Sequence, residues 1–112
     1  MDKKYYVYEF IRLDYNEPFY IGKGSGKRWK VLKQGRNQYF KNIVNNIPVA
    51  VVILDSNLTE QEAFELECYY IWRYRDEDGY SLVNIGDGGE GNSMRGEKIL
   101  FMVKQDLNIV KE

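Results

Sequence analysis

One stretch of the chain has residue types that suit an anionic ligand. Residues 19–28 read Phe-Tyr-Ile-Gly-Lys-Gly-Ser-Gly-Lys-Arg. An apolar strand end, Phe19–Ile21, runs into Gly22, Gly24 and Gly26, with Lys23, Lys27 and Arg28 among and after them. Glycine has no Cβ, so a backbone or a phosphate can approach closely. The same pattern also serves chains that simply leave a strand. Two nucleotide-binding motifs are excluded by spacing. The phosphate-cradling loop G-x-x-x-x-G-K-[ST] needs one more spacer between Gly22 and Gly26 and a hydroxyl where Arg28 stands. The dinucleotide fingerprint G-x-G-x-x-G fails because Lys27 takes its last glycine position.

The inventory of reactive groups is narrow. There is no histidine among the 112 residues, and Cys68 is the only cysteine. Ser-His and Cys-His nucleophile pairs are therefore excluded, as are histidine- and cysteine-ligated zinc sites. A metal would have to be a hard ion on oxygen ligands, Mg²⁺ or a relative. A general base would be a carboxylate, a lysine, a metal-bound water or one of the ten tyrosines. One cysteine allows no internal disulfide and points to a reducing compartment. No run approaches the roughly 18 apolar residues of a membrane span, and the N-terminus has no secretory apolar region.

Net charge is −1, but the charges are segregated. Lys23, Lys27, Arg28, Lys30, Lys33, Arg36 and Lys41 fall in residues 23–41, which hold no acid, whereas residues 60–78 are mainly acidic. The basic block is where a polyanion would bind, or it is a solvated face.

These groups need elements to hold them. Tyr5–Leu13 is aromatic and β-branched and predicts a strand, with Asp14–Pro18 as a turn and Phe19–Gly22 as the return strand. The alternation puts Tyr6, Tyr8 and Phe10 on one face and brings Tyr8 and Tyr20 near each other across the hairpin. Ser25 or Gly26 begins a short basic helix that Gly35 ends. Asn37 caps a second helix carrying Tyr39, Phe40, Ile43 and Val44. Val49–Leu54 is unbroken apolar sequence and predicts a strand buried on both faces, in the middle of the sheet. Thr59 to Glu62 is a capping box opening a helix to about Tyr74. Ala63, Phe64, Leu66, Tyr70, Ile71 and Tyr74 form its apolar arc, and Glu67 falls near the centre. A carboxylate there must be paired, hydrogen-bonded or metal-bound: a salt bridge to Arg28 or a lysine, or a ligand and acid/base group at a pocket. Lys98–Val103 and Asp106–Val110 read as two short strands about a turn.

Together these features resemble the GIY-YIG nucleases. The family's Gly-Ile-Tyr becomes Tyr6-Val7-Tyr8, and Tyr20-Ile21-Gly22 matches the second half-motif, extended by Lys23-Gly24. Arg28 stands where the family's helix carries its arginine. Glu67 matches its metal-binding glutamate. Asn84, ahead of Gly88-Gly89-Glu90-Gly91, matches its late asparagine. Tyr39 takes the place of a histidine found in many phage and homing members. The likeness spans about residues 5–92, in a domain set at residues 1–95. Residues 96–112 are an extension, read as the start of an appended module.

The resemblance implies an α+β fold: a small three-stranded antiparallel sheet flanked by helices, with an extra C-terminal hairpin. It implies a DNA endonuclease that uses one divalent ion, Mg²⁺ or Mn²⁺. Glu67 would hold the ion largely through water. Arg28 would grip the scissile phosphate. Tyr8 would act as general base, its pKa lowered by Lys23, Arg28 and the metal. Tyr20 would orient water or phosphate, Lys23 would supply a second cation, and Tyr39 would complete the catalytic set. Gly22 and Gly24 would give clearance for a nucleic-acid strand, and Asn84 would fix the loop. Lys27, Lys30, Lys33 and Arg36 would contact duplex or branched DNA. A separate DNA-binding domain or partner protein would supply specificity, in the cytoplasm of a bacterial or phage-infected cell. The alternative is a nucleic-acid-binding module on the same scaffold without cleavage.

Overall fold

Eight residues rich in tyrosine, valine, isoleucine and phenylalanine, Tyr5–Arg12, form β1. A four-residue connection with Asn16 in the left-handed region (φ 58°) returns the chain into β2, Glu17–Ser25. A computed structural model describes residues 2–84. The Gly88–Gly91 loop, the C-terminal hairpin, the boundary near residue 95 and the appended module lie outside the described residues. Among the described residues the architecture is α+β: one three-stranded antiparallel sheet in the order β2-β1-β3, with two α-helices.

The centre of the sheet differs from the sequence expectation. Val49–Leu54 opens β3, Val49–Leu58, which is an edge strand. β1 is central and pairs antiparallel with both neighbours. Five consecutive β1 residues, Val7–Ile11, are buried, whereas most of β3 is half-buried and Ile53 is exposed. The apolar run gives β3 two tolerable faces, but centrality depends on which strand finds partners on both hydrogen-bonding edges. The covalent hairpin secures one of those edges for β1.

Each face of the sheet carries a layer. α1, Gln38–Asn46, is capped by Asn37, whose side chain accepts from the Phe40 backbone N–H. It delivers Phe40 against Tyr8, Phe10 and Phe19. A register irregularity after Phe10 makes Phe19 the extra residue of β2, so that Phe19 and Tyr20 both reach Phe40. α2, Glu60–Trp72, begins at the expected capping box on Thr59 and Glu62. It covers the other face through Ala63, Leu66, Tyr70 and Ile71, against Val7, Ile21 and Leu54. The chain then widens into a π-helical turn, Arg73–Glu77, which keeps Tyr74 buried in this second core.

The expected basic helix after Gly26 is reduced to a single 3₁₀ turn, Arg28–Lys30. Gly26 and Gly35 both have left-handed φ, 60° and 74°. They bound a segment too short to nucleate a stable α-helix on its own.

Candidate active site

The Tyr8 phenol is the centre of the α1 layer. β1 places it opposite Gly22 of β2. The ring lies over that glycine, where a Cβ would fall 2.5 Å from its Cζ and Oη. The clearance expected for a nucleic-acid strand is thus filled by Tyr8 itself. Gly24 is used in the same way, since a Cβ there would fall 2.6 Å from Cβ and Cγ of Arg28. Tyr20 pairs with Phe10, one step along the same face, and stacks edge-on against Phe40 with centroids 5.0 Å apart.

Arg36 reaches the Tyr8 hydroxyl. Its Nη1 donates to Tyr8 Oη at 2.8 Å, its Nε to the Val31 carbonyl at 2.8 Å and its Nη2 to the Arg28 carbonyl at 2.9 Å. The guanidinium carbon sits 4.8–5.6 Å from the ring centroids of Phe40, Tyr20, Tyr8 and Phe10. Only 6% of Arg36 is exposed, so it is not the surface DNA contact expected from its place in the basic block. Tyr8 is 1% exposed. Burial pushes its phenol above the usual tyrosine value, Arg36 pulls it back by charge and hydrogen bond, and Arg28 helps weakly. The cation facing Tyr8 is therefore Arg36, not Lys23.

Arg28 lies on the same face. Its Nη1 and Nη2 donate to the carbonyls of Gln34 and Gly35, at 3.0 and 3.3 Å. Arg28 thus braces the backbone of the segment that ends at Arg36, and Arg36 braces the backbone of Arg28. Tyr6 fixes the start of the loop: its hydroxyl donates to the Gly26 carbonyl and accepts from the Trp29 N–H.

The remaining expected residues are dispersed. Lys23 sits across from Val7 on the α2 side, with Nζ 3.4 Å from Glu60 Oε2 and near the Tyr5 ring. Glu67 is buried on α2, 8% exposed, one turn from Ala63 and Ile71. Tyr39 is 64% exposed on α1, whose adjacent residue Phe40 takes the inward position. Lys27, Lys30 and Lys33 are exposed, as a polyanion-facing surface requires. Asn84 behaves like an added peptide unit on the outer edge of β2. Its Oδ1 accepts from the Ile21 N–H at 3.0 Å, and its Nδ2 donates to the Ile21 carbonyl at 2.7 Å. The Val83 N–H donates to the Phe19 carbonyl beside it. The structure thus gathers Tyr8, Tyr20, Arg28 and Arg36 on one face. It sets Glu67 and Lys23 in the layer on the other.

Sequence reasoning missed two features. One is the inward turn of Arg36, prepared by the left-handed Gly35 before it. The other is Glu9, 1% exposed on the α2 face of β1. Tyr74 sits beside it and is pushed far above the usual tyrosine range, by burial first and then by the Glu9 carboxylate. Tyr70 is pushed up by burial and then by Asp55. A charged residue between Tyr8 and Phe10 in an otherwise apolar strand is the sequence sign that a buried acid was there.

For a divalent ion, the described residues hold no group of three or more acidic, histidine or cysteine side chains. Glu67 is the one carboxylate among the expected site residues, and it is buried in the α2 layer, across the sheet from the Tyr8 phenol. No described helix is long and apolar enough to cross a membrane. No family model, no curated protein and no solved structure matches this chain.

Proposed function

We propose that this chain is a metal-dependent DNA endonuclease domain of the GIY-YIG type that hydrolyses phosphodiester bonds. One observation carries the reading: the Tyr8 phenol is held over Gly22 by a buried arginine, with Tyr20 beside it. A hydrogen bond from a fixed cation favours the phenolate of Tyr8, the form a general base needs. The exposed lysines Lys27, Lys30 and Lys33 support a polyanionic substrate, and the proposed setting is cytoplasmic.

The proposed roles are those the resemblance implies. Tyr8, as phenolate, takes the proton of the attacking water and becomes the neutral phenol. Tyr20, its hydroxyl on the same face, orients that water or the phosphate. Arg28, on the same face as Tyr8, supplies charge to the phosphate, and Lys27, Lys30 and Lys33 hold the backbone. The resemblance assigns Mg²⁺ or Mn²⁺ to Glu67, which lies in the α2 layer across the sheet from Tyr8, so that ion and the phenol would meet the substrate from different sides of the sheet. Asn84 keeps β2, and with it Tyr20, in place.

The test is plasmid nicking with Mg²⁺, comparing the wild-type chain with Tyr8→Phe and Glu67→Ala. The wild type should nick, and each variant should lose at least a hundredfold. Equal rates in all three would overturn the proposal. A second reading, binding without cleavage, is favoured by one observation: the Tyr8 hydroxyl is buried and already engaged. Retained binding to duplex or branched DNA, with no nicking by the wild type, would select it.

A further inference from the structure

Arg36 has the features of a residue placed for its charge. Five N–H donors on a permanently charged fork are expensive to bury unless they are satisfied. Here all three nitrogens donate: Nε and Nη2 go to loop carbonyls, and Nη1 goes to Tyr8 Oη. Four rings drawn from β1, β2 and α1 lie around the fork, with centroids 4.8–5.6 Å from the guanidinium carbon. The carbonyl bonds and the ring box fix the guanidinium. The third bond directs that fixed charge at a single atom, the Tyr8 oxygen. An arginine offers no acceptor, so Tyr8 must accept from it, and the phenol proton is left for another partner.

The loop geometry enforces this aim. Gly35, at φ 74°, turns the chain so that Arg36 points back under the sheet. Arg28 holds the carbonyls of Gln34 and Gly35, and Arg36 holds the carbonyl of Arg28. Neither arginine can swing out without releasing the other's backbone.

We propose that Arg36 is the positioning residue of Tyr8: its guanidinium pins the phenol oxygen above Gly22 and sets the readiness of that oxygen to carry negative charge. This rests on the reading of Tyr8 as the proton-handling group, and deepens it. Without Arg36, Tyr8 would be a core tyrosine that burial holds neutral. With it, the phenolate has a cation 2.8 Å away. Arg36 is also the first of the groups that oppose the effect of burial on Tyr8.

The test places 3,5-difluorotyrosine, whose phenol ionises closer to neutral pH, at position 8 and follows its titration by ¹⁹F NMR. The parent, Arg36→Lys and Arg36→Gln are compared. Arg36→Gln should move the titration upward by at least one pH unit, a tenfold loss of phenolate at fixed pH. Arg36→Lys should move it less. Nicking by Arg36→Gln should fall by the same factor, with its pH profile displaced upward by the same interval. An unchanged titration in Arg36→Gln overturns the proposal, whatever the nicking rate. A shifted titration in a chain that never nicks supports the Tyr8–Arg36 coupling and overturns hydrolysis instead. If Arg36→Gln does not fold, the wild type and Tyr8→Phe decide through the Arg36 side-chain N–H signals. These should shift on loss of the phenol oxygen, and identical signals overturn the proposal.

Discussion

Gly22 and Tyr8 share one volume: the phenol head fills the space that any side chain at position 22 would need, with a Cβ falling 2.5 Å from Cζ and Oη. Because Tyr8 is buried under Phe10, Arg36 and the α1 layer, its ring has little room to give way. Gly22→Ala should therefore destabilise the fold by about 1–3 kcal/mol, the usual range for overpacking. It should also displace the phenol from Arg36. Guanidinium denaturation measures the first effect, and the difluorotyrosine titration the second. A variant as stable as the wild type, with an unmoved titration, would show that the volume is not shared.

Asn84 predicts a different kind of loss. Asn84→Ala removes both bonds to Ile21 and should cost about 1–3 kcal/mol. Asn84→Asp should be worse, because an acceptor then faces the Ile21 carbonyl where Nδ2 had donated. Hydrogen exchange at the Ile21 amide is the direct measurement: protection should fall in both variants, and further in Asn84→Asp. The reverse order would mean that the amide does not bond as described.

The buried tyrosines on both faces of the sheet predict alkaline weakness. Tyr8, Tyr70 and Tyr74 all have folded-state pKa values above the ordinary tyrosine value, with burial as the first cause. A group raised on folding contributes its stability below the unfolded pKa and loses it as pH climbs toward the folded one. Stability should thus be flat to about pH 9.5 and fall steeply above about pH 10, where the unfolded tyrosines ionise. Tyr74→Phe should soften that fall. At neutral pH it should cost about 1–3 kcal/mol, because Glu9 loses the hydroxyl beside it. Urea midpoints measured from pH 7 to 11 test both statements.

The same sign applies to catalysis. If Tyr8 removes the proton as phenolate, only a small fraction is active at neutral pH, since burial raises its pKa. The nicking rate should then rise close to tenfold per pH unit between about pH 7 and 9. A flat profile over that range would exclude phenolate as the base.

What could be read in advance was mostly local. The hairpin, the Asn37 cap and the Thr59–Glu62 box depend on neighbours a few residues apart, and all three appear as expected. The burial of Glu67 followed from helical spacing alone. The central strand did not follow from its composition. Glu9 interrupts the apolar run of β1, while Val49–Leu54 has no interruption, so composition favoured the wrong strand. Lys23 and Tyr8 differ in sheet face, and a register set by pairing across the hairpin decides that. Arg36 escaped because its box is assembled from β1, β2 and α1, which come together only in the folded chain.

The amide of Asn84 also gives the sheet a handedness of access. Along β2, the outer peptide groups at Phe19 and Ile21 are already answered by Val83 and Asn84. Along β3, no described strand meets the outer edge of Val49–Leu58. Among the described residues, the side open to an extended chain that docks by lengthening the sheet is therefore that of β3. Growth in the other direction requires that Asn84 first let go of Ile21.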